Sequence, residues 1–370
     1  MREFKRAELR GEARTLPAEY YTSTAVFEKE AQRIFGRDWL YAGRADAIPK
    51  PGDYFLYELL GESLIVIRGA DDRVRALFNV CRHRGTRMCE TAQGKFTGAI
   101  QCPYHAWTYG LDGRLMAARN MQGTPGFERA DWPLAQAATA LWEGFIFISF
   151  AAEPEPFAET FAPLLARFAK WTIARLRSAK RITYELACNW KLVAQNYSEC
   201  YHCPVIHPQL DKLSPWDSGR NDLGEGPFLG GFMTLRDHGG SMTLDGRTSR
   251  PPLGGVDGDE LDRIYYYSIF PTMLLSLHPD YVMAHRLIPL GIDRVRVDCD
   301  WLFDPATMAR DGFDPSDAVG FWDMTNRQDW KVCELSHAGI SSRAYVPGPY
   351  SSNEGILQAF DTYYLSVMRS

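Results

Sequence analysis

Cys81-Arg82-His83-Arg84-Gly85 and Cys102-Pro103-Tyr104-His105-Ala106-Trp107 carry two ligand pairs, with eighteen residues between His83 and Cys102. Each segment offers one thiolate and one imidazole, and glycine and proline stand where tight loops need them. Two such loops facing each other supply two sulfur and two nitrogen ligands to one metal centre. A tetrahedral structural zinc accepts that set. Zinc fingers, however, usually group Cys with Cys and His with His, whereas here each loop mixes them. The mixed pairs are those expected of two loops gripping a [2Fe–2S] cluster, thiolates on one iron and imidazoles on the other, with a reduction potential above that of an all-Cys cluster. Cys89 lies between the loops without a His at ligand spacing and is read as a packing residue.

Short β-rich runs surround the loops at residues 54–60, 63–68, 74–80 and 145–150, punctuated by Gly61 and by Asp71-Asp72, which predicts a small all-β domain. Ala151-Ala152-Glu153-Pro154-Glu155-Pro156 stops the last run and marks a boundary. The chain is thus divided into an arm and short helix over residues 1–36, a cluster domain over 37–152 and a larger domain over 153–370. The arm's helix carries Phe27, Ala31, Ile34 and Phe35 on one side and is expected to pack on the larger domain. In that domain the spacing predicts a helix over 157–169 and strands at 264–270, 272–278, 281–290 and 294–303. The Gly-, Asp- and Pro-rich stretch 218–262 is read as a long loop, a lid over the pocket.

An electron carrier with one cluster needs about a hundred residues, and this chain has 370. Trp190, Val193 and Tyr197 recur at helical spacing, which extends to put Glu199 and His202 on one helix face. His207 falls off that face, so Pro204 and Pro208 are expected to bend the segment and return it toward His202. Two histidines and one carboxylate on one side of Fe(II) leave positions open for O₂ and substrate. The carboxylate must come from elsewhere. Residues 321–334 hold Asp323 and Asp329, and spacing alone does not choose between them.

The two Cys/His loops and Glu199-Cys200-Tyr201-His202-Cys203-Pro204 through His207-Pro208 resemble the Rieske non-haem iron oxygenases, alpha (catalytic) subunits, although the spacer of the first motif is slightly long for them. The resemblance implies an α+β chain: a small all-β Rieske domain followed by a helix-grip domain, an antiparallel sheet wrapped against helices. It implies that Cys81, His83, Cys102 and His105 hold the [2Fe–2S] cluster and that His202 and His207 hold Fe(II). The family's ligand Asp is followed five residues later by Glu, which matches Asp329 and Glu334 and leaves Asp323 in reserve. Glu199 resembles the family's bridging carboxylate, linking His105 of one subunit to His202 of the next, in the family's common homotrimer. The stretches 326–336 and 342–351 resemble the branch that oxidises glycine betaine, choline and related quaternary amines, with an aromatic ring hydroxylase as the alternative. Aromatic faces hold a quaternary ammonium, and Tyr265, Tyr266, Tyr267, Phe270 and Trp322 are the candidates.

No G-x-G-x-x-G follows a strand and no plant-type ferredoxin spacing is present, so electrons are expected from a separate NAD(P)H-dependent reductase of flavin or ferredoxin type. A net charge of −5 gives no footprint for nucleic acid. The longest apolar run, 145–152, is too short to span a bilayer, and no apolar segment follows the first six residues, so a cytoplasmic protein is expected. Eight cysteines in 370 residues are not a disulfide scaffold.

Overall fold

The computed structural model describes residues 3–369; residues 1, 2 and 370 lie outside the described part. Two compact units form, one of Gly36–Phe157 and the other of the chain on either side of it.

In the first unit, strands β1 (Leu40–Arg44), β2 (Asp53–Leu59), β3 (Glu62–Arg68), β4 (Val74–Phe78), β5 (Gln93–Lys95), β9 (Gln136–Trp142) and β10 (Phe145–Ser149) form one antiparallel sheet in the order β1-β10-β9-β4-β3-β2-β5. A second, three-stranded sheet comprises β6 (Ala99–Gln101), β7 (Thr108–Gly110) and β8 (Leu115–Ala117). The first ligand loop follows β4, and the second joins β6 to β7. Between them sits a core that includes Ile65, Leu77, Ile100, Trp107 and Tyr109. Cys89 belongs to that core, with its thiol donating to Tyr54 Oη at 3.0 Å.

In the second unit, β11 (Arg177–Leu186), β12 (Arg220–Glu225), β13 (Phe228–Thr234), β14 (Arg263–Ile269), β15 (Met273–Leu277), β16 (Val282–Gly291) and β17 (Arg294–Phe303) form an antiparallel sheet ordered β11-β17-β16-β15-β14-β13-β12. Helices α1 (Trp190–Tyr197), α2 (Ser316–Ile340) and α3 (Gly355–Arg369) accompany it. Trp330 on α2 packs edge-on against Tyr184 of β11, Trp322 against Tyr266 of β14, and Cys333 Sγ reaches Leu192 O of α1 at 3.6 Å. No described helix is long and apolar enough to cross a membrane.

Three expectations fail here for identifiable reasons. The helix over 157–169 stops after Phe157–Thr160, because Pro163 has no N–H to give and Ala166 takes a left-handed φ of +60°. Phe161, Leu164 and Phe168 are buried nonetheless. The stretch 218–262 is not all loop, since β12 and β13 form a hairpin inside it. Gly230 and Gly231 lie there because neighbouring backbone comes too close for a side chain: a Cβ would sit 2.1 Å from Tyr266 O at Gly230 and 1.9 Å from Arg220 O at Gly231. The remaining loop is no lid. Asp280 fastens it through Ser241 Oγ, Thr248 Oγ1 and Arg250 Nε at 2.8–2.9 Å, and none of residues 235–262 lines the cavity described below.

Behind α1 the fold buries charge. Lys191 Nζ meets Glu30 Oε1 at 2.5 Å with both side chains fully buried, and Trp190 Nε1 and Tyr364 Oη donate to the same carboxylate at 2.9 and 2.6 Å. Burial pushes the Lys191 ammonium down from its ordinary pKa, with Glu30 opposing. Removing one charge strands the other, at a cost of about 3–5 kcal/mol. Glu30→Gln is therefore expected to lower the unfolding midpoint of this unit by roughly 10 °C, read by calorimetry; an unchanged midpoint rules the pair out as a fastening for α1.

Candidate metal centre

The two Cys/His loops are built alike. Cys81 N donates to Thr86 O at 2.9 Å and Cys81 O accepts from Gly85 N at 3.0 Å; Cys102 N donates to Trp107 O at 2.8 Å and Cys102 O accepts from Ala106 N at 3.1 Å. In each loop the fourth residue after Cys closes the turn in the left-handed region, Gly85 at φ +71° and Ala106 at φ +57°. The loops bring His83 and His105 together with their Nδ1 atoms 3.1 Å apart, while both cysteines are buried. Tyr109 Oη stands 3.4 Å from Cys81 Sγ and accepts from Arg82 N at 3.1 Å. Trp107 stacks flat on His83, with centroids 4.8 Å apart. Two thiols and two inward Nδ1 atoms at one place fit a mixed Cys/His cluster.

In the second unit, α1 ends at Tyr197, where Ser198 Oγ turns back to Ala194 O at 2.6 Å. Glu199 therefore lies outside any helix, contrary to the expected shared face. It reaches His202 by another route: its Oε2 caps the N–H of Tyr201, and its Oε1 meets His202 Nδ1 at 2.5 Å. Cys200 and Cys203 are disulfide-bonded across this loop, a pairing the spacing had not suggested. A single turn, Cys203–Ile206, follows and contains Pro204. His207 then takes a non-helical φ of −124° and ψ of 61° because Pro208 begins the next helix, Pro208–Leu213. Pro208 turns His207 inward, and Pro204 serves only to start a turn.

Asp329, on α2, completes the group. His207 Nε2 lies 2.7 Å and His202 Nε2 3.2 Å from Asp329 Oδ1, near the ~3 Å separation of neighbouring ligands around an ion with ~2.1 Å bonds. Each imidazole is oriented through its other nitrogen, His202 Nδ1 by Glu199 and His207 Nδ1 by Gln328 Oε1 at 2.7 Å. Burial lowers the His202 pKa, yet Asp329 and Glu199 overcome it and raise it to about 10. Burial likewise raises the Asp329 carboxyl, and His202 and His207 outweigh it and hold it below the usual range. The site thus favours a positive charge at its centre, as a divalent ion provides, and the donor set fits Fe(II). Asp323 is elsewhere, accepting from Tyr184 Oη at 2.7 Å and Arg327 Nε at 3.0 Å.

The triad lines a cavity of about 150 Å³. Of the aromatic candidates, Trp322 and Tyr266 line it. Tyr265, Tyr267 and Phe270 do not, and the strand period of two explains the first two: Tyr266 shares a face with Ser268, while its neighbours turn to the opposite side. There Tyr265 packs on Trp171 and Phe232, and Tyr267 on Phe168. Phe270 packs among Trp190, Phe360 and Tyr363. The reading from sequence missed Gln328, Tyr197, His285 and Trp330. His285 sits on the cavity face of β16, and burial lowers its pKa to about 4, so the wall there is a neutral imidazole. The nearby Asn326 amide opposes that shift, yet among the described residues none makes a well-formed hydrogen bond to either ring nitrogen. Adjacency to Asp329 on α2 was the one signal for Gln328 and Trp330; Tyr197 and His285 carried none.

A Rieske [2Fe-2S] domain model matches residues 38–128, and a model of the ring hydroxylating alpha subunit (catalytic domain) matches residues 173–370. The glycine betaine monooxygenase oxygenase subunit of Pseudomonas aeruginosa is 32% identical over 388 residues, spanning 94% of this chain and 88% of that one. The carnitine monooxygenase oxygenase subunit of Acinetobacter baumannii is 38% identical over 207 residues, spanning 54% and 55%. A solved quaternary ammonium Rieske monooxygenase shares the fold with a TM-score of 0.83 at 24% identity, over 97% of this chain and 96% of that one.

Proposed function

Since the chain belongs to the Rieske non-haem iron oxygenases, as an alpha subunit with a [2Fe–2S] domain and an Fe(II) catalytic domain, we propose that it oxidises an N-methyl group of a small quaternary amine such as a betaine. The observation that carries the substrate class is the cavity wall. Tyr197, Tyr266, Trp322 and Trp330 line the same cavity as His202, His207 and Asp329, and aromatic faces attract a cation that has no N–H to donate.

In this reading Cys81, His83, Cys102 and His105 hold the cluster within residues 37–152, and His202, His207 and Asp329 hold Fe(II) within 153–370, with 1–36 as an arm on the latter. When bound, the cluster supplies single electrons and the Fe(II) centre supplies the site at which O₂ is activated. The chain's own residues do the rest. Glu199 and Gln328 fix the two imidazoles, and the aromatic wall points one methyl at the triad. The balance is R₃N⁺–CH₃ + O₂ + 2e⁻ + 2H⁺ → R₃N⁺–CH₂OH + H₂O. The carbinol then releases formaldehyde, a proton and the demethylated amine. Electrons come from a separate NAD(P)H-dependent reductase, and Glu199 carries them between neighbouring subunits of a homotrimer, from His105 of one to His202 of the next.

Reconstituted with such a reductase, the enzyme is expected to form formaldehyde from glycine betaine in step with NAD(P)H consumed. Silence with quaternary amines together with turnover of aromatic acids would replace this reading with a ring hydroxylase.

A further inference from the structure

The cavity is lined by two carboxylates, Glu199 and Asp329, both in contact with the triad histidines, and among its described lining residues Arg6 is the single lysine or arginine. Arg6 comes from the N-terminal arm, which is stitched to two residues that line the cavity, Asn221 and Phe232. Lys5 and Asn221 exchange backbone hydrogen bonds at 2.9 and 2.7 Å, and Ala7 N donates to Asn221 Oδ1 at 3.3 Å. Phe4 packs edge-on against Phe232 with centroids 4.9 Å apart. Gly355 lies so close beneath the arm that a Cβ there would be 2.3 Å from Ala7 O.

The guanidinium itself donates to Asn353 Oδ1 at 2.8 Å and to Asp217 O at 2.5 Å. Both acceptors are uncharged, and no carboxylate among the described residues pairs with Arg6. Arg stays ionised and has five N–H donors in a fork that matches a carboxylate. Its tether therefore holds the cation in place and leaves its charge uncompensated. The aromatic faces and the two carboxylates that line the same cavity favour a cation.

We propose that Arg6 receives the anionic end of the substrate, so that the enzyme selects zwitterionic quaternary amines bearing a carboxylate over purely cationic ones and orients their methylammonium head toward the triad. The inference rests on the quaternary-amine reading and sharpens it. Arg6 acts as a specificity residue, and the methyl groups, not the carbon chain, face the oxidising end.

The test compares glycine betaine, carnitine and choline as probes on the holoenzyme, by calorimetric Kd and by steady-state kinetics. Arg6→Gln is expected to weaken the two carboxylate-bearing probes about ten-fold in Kd and in kcat/KM, and to leave choline within about two-fold. Arg6→Lys keeps the charge without the fork and is expected to recover part of the loss. Equal weakening of all three probes makes Arg6 a mere tether and overturns the proposal, as does no change in any. Wild-type enzyme that binds none of the three overturns the quaternary-amine reading itself, an outcome distinguishable because it needs no variant.

Discussion

Asp329→Ala is expected to drop the iron content from about three to about two atoms per chain while leaving the visible spectrum of the cluster intact. Turnover should fall by more than the roughly 10–100-fold typical of losing an outer partner of a metal ligand, because Asp329 Oδ1 is the atom on which both His202 Nε2 and His207 Nε2 converge. Without that carboxylate the two imidazoles face each other with no anion between them. Asp323→Ala is the matched control. It removes only the contacts to Tyr184 and Arg327, so iron should stay. Iron retained in the Asp329 variant and lost in the Asp323 variant would transfer the ligand role to Asp323.

Glu199→Gln is expected to keep all the iron and still slow turnover by at least the same 10–100-fold range. Glu199 touches His202 at Nδ1, on the side away from Asp329, so the substitution leaves Nε2 free to bind. It removes the charge that favours a firmly oriented, electron-rich imidazole and that forms half of the proposed bridge between subunits. Rapid-mixing spectroscopy separates the two metal sites: the reduced cluster should be oxidised slowly in this variant although both sites are filled. Near-normal turnover would remove Glu199 from the electron path.

The chemistry of the site was more legible in the sequence than its geometry. Cys81, His83, Cys102 and His105, the proposed cluster ligands, stand out in the sequence because a cluster needs specific atoms at short spacing, and that spacing survives any fold. The structure brings His202 and His207 together as the sequence led one to expect, but by a path that helical periodicity does not encode. A turn at Ser198 and the restriction Pro208 places on His207 do what a bent helix had been expected to do. Asp329 lies more than a hundred residues away, and pattern alone could not separate it from Asp323. The substrate wall was the least legible part. Aromatic residues on adjacent strand positions look equivalent in a string of letters, and only pairing decides that Tyr266 faces the cavity while Tyr265 and Tyr267 fill the opposite core. The hairpin of β12 and β13 was hidden by its own glycines, which signal loops far more often than tight sheets.

Those glycines also limit how the pocket can be re-engineered. Gly230 and Gly231 border the cavity, yet any larger residue there would collide with main chain that cannot step aside. Combinatorial libraries meant to broaden substrate scope would waste their diversity at these two codons. Leu229, Met233 and Thr325 border the same space with side chains to exchange, and new specificities are more accessible by randomising them.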